Sequence, residues 1–178
     1  MSLKNSIILD FSLDQKYIFI LLQERIYNKK IISLKRSENI SNIFFNFLKK
    51  KRIKINNSYR LYVNLGPGNL IAIRNAVVFA KMLSIIFGCK LLGFSNYQLI
   101  KLNKNTGIRK SQKFLLTMGA KSLLLDLSKK KAFKLSENEL HKYQSFKFHM
   151  VYNKKILKNL VLSKNLVKRV FPISYSDI

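Results

Sequence analysis

The chain has 178 residues, and with 48% hydrophobic and 12% aromatic side chains it carries enough apolar material for one medium domain or two small lobes. A single cysteine, Cys89, excludes an internal disulfide framework and a cysteine-rich zinc centre, and only 8 acidic residues leave few candidates for carboxylate chemistry. Against these stand 34 lysines and arginines, a net charge of +26 with two readings that charge alone does not separate: attraction to RNA or another polyanion, or the Lys-, Asn- and Ile-rich replacement pattern of an AT-rich genome.

The chain opens with a short apolar strand, Ser6 to Asp10, that ends in a carboxylate. After a turn over Phe11 to Gln15, Tyr17 to Gln23 and Ile26 to Leu34 read as two further strands, which predicts an antiparallel opening. Ser37 to Lys50 reads as a helix with Ser37 as N-cap, Glu38 in the first turn and an apolar stripe of Ile40, Ile43, Phe44, Phe47 and Leu48, with Phe45 to one side. The basic run Lys49 to Lys54 suits its C-terminal end.

Leu61 to Asn64 then reads as a buried strand, Gly66-Pro67-Gly68 as a sharp turn, and Leu70 to Phe87 as a helix. Strand, glycine turn and helix is a geometry that can cradle an anion, and it is equally the geometry of a plain tight turn. On a helical wheel Arg74 and Lys81 share one narrow ridge while Ala76, Val77, Val78, Phe79, Leu83, Ile85 and Ile86 spread over most of the rest. A helix lying on a sheet needs one apolar stripe, and this one has enough for two; its back is covered by another element of the chain or by a partner.

Cys89 to Phe94 is predicted as a strand, with Cys89 a small buried side chain, and Asn96 to Leu102 as a short helix. Lys104 to Ser111, polar and carrying Gly107, marks a boundary between residues 1–103 and 104–178. Beyond it come three short strands, Phe114 to Met118, Ser122 to Leu127 and Ala132 to Leu135, with turns at Gly119-Ala120 and Ser128 to Lys131. A helix start with a capping box follows at Ser136 and Glu139, then a loosely helical basic stretch from Tyr152 to Arg169 and an extended tail from Phe171. His141 and His149, eight apart, fit no common metal spacing. The longest apolar run, Val77 to Phe87, is broken by Lys81 and Ser84, and Met1 to Asp10 lacks the features of a secretory signal, so a cytoplasmic location away from membranes is expected.

This order of elements resembles the TsaB (YeaZ) family, the smaller actin-like-fold subunit of the bacterial machinery that makes threonylcarbamoyladenosine in tRNA. Ile7-Ile8-Leu9-Asp10 looks like the family's opening Ile-Leu-x-Ile-Asp-Thr. Asn64-Leu65-Gly66-Pro67-Gly68 with Arg74 looks like its Gly-x-Gly-Pro-Gly-Ser-Phe-Thr-Gly-x-Arg, Leu92-Gly93-Phe94-Ser95 like its Gly-Val-Ser, and Phe171-Pro172 to Tyr175 like its C-terminal Pro-x-Tyr. The chain departs from the pattern in Asn69-Leu70-Ile71-Ala72, where the family has Ser-Phe-Thr-Gly, and in Phe11, where it has Thr.

The resemblance implies an α/β protein of the actin-like ATPase (ribonuclease H-like) fold, with an N-terminal mixed-sheet lobe and a reduced C-terminal lobe. It implies no catalytic site, cofactor or metal in this chain. ATP and metal would sit in the catalytic partner TsaD, the ATPase TsaE would be a further partner, and tRNA would be met through the complex, with weak self-pairing when TsaD is absent. The helices before and after the glycine turn, Ser41 to Leu48 and Ile71 to Phe87, would pack on TsaD through Phe44, Phe45, Leu48, Ile71, Arg74, Val78, Phe79, Met82 and Ile86, next to the turn Gly66, Pro67 and Gly68. Two other expectations compete: an autonomous RNA- or ribosome-binding protein, suggested by the charge and by Tyr143, Phe146 and Phe148, and an actin-like kinase using Asp10 and the glycine turn.

Overall fold

The structure is a computed structural model that describes residues 5–23, 25–32, 39–104, 112–118, 121–173 and 176–177. Strand β1 (Ser6–Asp10) pairs antiparallel with β2 (Lys16–Leu22), which pairs antiparallel with β3 (Arg25–Ile31). On its other side β1 pairs in parallel with β4 (Arg60–Asn64), and β4 in parallel with β5 (Lys90–Phe94), giving the order β3-β2-β1-β4-β5. The strands β1 and β4 are apolar on both faces because both faces are covered, as parallel strands require. Ile7, Leu9, Leu61 and Val63 point to one core, and Ile8, Phe19 and Tyr62 to the other.

Helices α1 (Ile40–Lys51) and α2 (Leu70–Phe87) cover the first face. The cap of α1 is Asn39, whose side chain accepts from the Ser41 amide at 3.0 Å; the expected Ser37 and Glu38 lie outside the described residues. Asn69 caps α2 by accepting from the Ala72 amide at 3.2 Å, and Gly88 ends it in the left-handed region at φ 64°. The second face is covered by α3 (Asn96–Lys104) and by a helix from the far end of the chain, described below. Cys89 is buried as expected, its thiol donating to Asn56 O at 3.3 Å.

A second sheet follows, β6 (Lys113–Met118), β7 (Lys121–Asp126) and β8 (Lys131–Leu135), all antiparallel, with the two-residue β9 (Ser176–Asp177) added in parallel to β8. Its α4 (Glu137–Tyr143) starts as predicted, the Glu139 carboxylate accepting from the Ser136 amide at 2.9 Å and hydroxyl at 2.6 Å. The boundary residues 105–111 and the turn at Gly119-Ala120 lie outside the described residues.

The division at residue 103 does not follow the packing. The chain leaves the second sheet near Phe148 and returns to the first, where α5 (Lys154–Leu162) lays Leu157, Leu160 and Val161 on Ile8, Phe19 and Tyr62. The stretch expected to be helical to Arg169 ends at Leu162, because Val167 pairs with Gly93 along the edge of β5, and Ile173 donates its amide to Leu65 O at 2.7 Å. The first lobe is therefore completed by the last residues of the chain.

Candidate functional site

At the C-terminal ends of β1, β4 and β5 a buried polar network surrounds the glycine turn. The Asp10 carboxylate accepts from the Ser12 amide at 2.9 Å and the Ser12 hydroxyl at 2.7 Å through one oxygen, and from the Tyr152 hydroxyl through the other. Asn64 gives its Nδ2 to Asn96 Oδ1 at 2.7 Å and takes the Gly66 amide on its Oδ1 at 2.8 Å, while Asn96 Nδ2 donates to Pro67 O at 2.7 Å. The Asn69 amide donates to Ser12 O at 2.7 Å. Gly66 needs its freedom, at φ 94°, and Gly68 is pressed so close to the chain that an added Cβ would stand 2.1 Å from Ser12 O.

The Gly66 and Asn69 amides are given to Asn64 and Ser12, and the space before Gly68 is filled by backbone. Asp10 is 2% exposed and capped by Tyr152. Burial, and then the Asp10 charge, push the Tyr152 phenol well above its usual pKa, so it stays a donor. The cleft beside it, lined by Asp10, Tyr17, Thr117, His149 and Tyr152, holds about 270 Å³, under the roughly 300–1,000 Å³ of ligand pockets.

The second feature is the outer face of α2. Its inner face, Ile73, Ala76, Val77, Ala80 and Leu83, is built into the core. The outer face leaves Ile71 73%, Val78 67% and Ile85 83% exposed, with Met82 and Ile86 beside them. Positions 71, 78, 82 and 85 form one helical stripe, and Arg74 and Lys81 run along its border. A groove of about 600 Å³ separates this stripe from the start of α1 and is lined by Phe11, Asn39, Ile40, Asn69, Ala72 and Asn75 among others. In length and composition α2 also meets the requirement of a membrane span, which corrects the expectation drawn from Lys81 and Ser84. Its inner face is nevertheless locked under the sheet, and spanning would pull Ile73, Ala76 and Ala80 from a core that buries them fully.

Of the residues expected at a partner interface, Ile71, Arg74, Val78, Met82 and Ile86 are exposed on or beside this stripe, and Phe45 is exposed on α1. Phe44, Leu48 and Phe79 are not: they are buried, and Phe44 meets Phe79 edge-on with ring centroids 5.3 Å apart. They join α1 to α2 from beneath. Ile85, the most exposed large apolar residue among those described, was absent from the expected set although its spacing from Ile71, Val78 and Met82 places it on the same stripe.

A five-stranded mixed sheet in the order β3-β2-β1-β4-β5, with helices on both faces and a second sheet beyond, is the actin-like fold as it occurs in YeaZ proteins. A crystal structure of a Pseudomonas aeruginosa protein with similarity to the peptidase YeaZ superposes with a TM-score of 0.65 at 8% identity, covering 96% of this chain and 99% of that one. YeaZ from Pseudomonas aeruginosa itself superposes with a TM-score of 0.53 at 11% identity, covering 75% of this chain and 62% of that one. No protein-family model and no curated protein matches the sequence.

Proposed function

We propose that this chain is a divergent TsaB-like subunit: a scaffold without chemistry of its own that pairs with a TsaD-type subunit and supports threonylcarbamoyl transfer to adenosine 37 of tRNA in the cytoplasm. The observation that carries the reading is the unpartnered apolar stripe Ile71, Val78, Met82 and Ile85, bordered by Arg74 and Lys81. Water-exposed apolar area of this kind is worth on the order of 25 cal/mol per Å² when covered, before the costs of association. The internal use of Asp10 and of the glycine turn supports leaving ATP and metal to TsaD, with TsaE as its further partner, and disfavours the kinase reading.

The test is co-expression with TsaD from the same organism, followed by gel filtration in high salt so that charge alone does not hold the pair. Co-elution that is lost in Val78→Glu and in Ile85→Glu, both exposed positions that leave the fold intact, supports the reading. Separate elution of the unaltered chains overturns it.

A further inference from the structure

A cleft that neither the glycine turn nor the α2 stripe uses opens at the C-terminal ends of β4 and β5, with a volume of about 580 Å³. Its floor is apolar, formed by Leu65, Phe94 and Val167, and its rim carries Lys101 from α3, Lys130 from the turn between β7 and β8, and Lys164 from the segment after α5. Among the described residues that line it, none is acidic. The three exposed lysines thus share one concavity without a counter-charge in its wall.

Two of the three positions are held by hydrogen bonds between a side chain and the backbone. Lys130 sits in the left-handed region at φ 51°, at the end of a turn fixed by Asp126, whose carboxylate accepts from the Ser128 amide at 2.9 Å and the Lys129 amide at 3.2 Å. The segment of Lys164 is tied to α3 by Gln98, whose side-chain amide donates to Asn165 O. Lys130 comes from the second sheet and the other two from the first lobe, so the lobes converge on this cleft.

Like charges around an apolar, low-dielectric floor focus a positive field on whatever enters. The complement is a ligand with phosphates at its edge and a flat, weakly polar body at its centre, repeated along a chain that the net charge of +26 attracts beyond the cleft. We propose that this cleft binds a single-stranded segment of nucleic acid, with phosphates on Lys101, Lys130 and Lys164 and a base or ribose over the apolar floor. It is built from residues apart from the docking stripe and does not rest on that reading.

The test is fluorescence anisotropy of the full chain with labelled single-stranded RNA and DNA of one sequence, over a salt series. The cleft triple Lys101→Gln, Lys130→Gln, Lys164→Gln is set against a charge-matched triple on exposed lysines elsewhere, Lys29→Gln, Lys30→Gln, Lys90→Gln. Thermal melts confirm that both fold. For three phosphate contacts the cleft triple loses roughly tenfold or more in affinity and its log–log salt slope falls by about 2, while the matched triple changes little. Equal losses in the two triples, or no binding by the unaltered chain, overturn the proposal. So does displacement of the oligonucleotide by an equal phosphate concentration of AMP, which reassigns the cleft to a mononucleotide. The measurement uses the isolated chain, so its failure leaves pairing with TsaD untouched.

Discussion

Gly68 packs against the carbonyl of Ser12, and no side chain fits there: a methyl group would meet the backbone oxygen of Ser12 at 2.1 Å. Gly68→Ala is expected to cost about 2–3 kcal/mol, read as a lower urea midpoint, through overpacking rather than loss of any ligand. Asp126 offers a second test. The Ser128 hydroxyl, ahead of the Lys129 and Ser128 amides, holds its carboxyl below the ordinary 3.8. The stability it adds is therefore fully present above that value and is lost as pH falls through the lower folded value. Asp126→Asn should flatten the acid limb of a stability-against-pH curve below 3.8, and an unchanged limb would remove the carboxylate from the account. At this scale the sequence showed the glycine turn but not its partners. Ser12, Asn64 and Asn96 lie 52 and 32 residues apart, and only the parallel pairing of β1, β4 and β5 brings them to one end of the sheet.

Helix α2 was legible because it is long and its ends are marked, and the excess of apolar residues announced a second apolar face, which lies exposed. What a wheel does not give is the angle at which the helix meets its neighbour. Phe79 and Phe44 lie at the α1–α2 contact, and that contact turned two expected interface residues into core. The difference is measurable: Phe44→Ala is expected to lose about 3–5 kcal/mol of stability, whereas Val78→Glu stays within about 0.5 kcal/mol and acts only on pairing. Helix α1 began at Asn39 because an asparagine directly before the apolar stripe accepts from the Ser41 amide. The three strands of the second sheet were legible as short apolar runs between turns, and each falls within a residue or two of its predicted bounds.

The order of the first sheet's elements and its antiparallel opening were readable from the residues, while the mixed pairing followed only from the family resemblance. The return of the chain was not, because nothing in a basic amphipathic helix says which sheet face it will cover. Without α5 the surface of Ile8, Phe19 and Tyr62 loses the cover of Leu157, Leu160 and Val161. A fragment of residues 1–103 is therefore expected to bind a hydrophobic dye and aggregate, where the full chain melts cooperatively. A fragment that melts cooperatively by itself would restore residue 103 as a true domain boundary.

The same closure sets an order in time. Tyr62 donates its hydroxyl to Val161 O across 99 residues of sequence, and Tyr152 reaches Asp10 across 142. A ribosome adds about 5–20 residues per second, so the apolar underside of the opening sheet leaves the exit tunnel roughly 5–20 seconds before its lid is made. During that interval the nascent chain presents to chaperones a greasy surface that the finished molecule never shows.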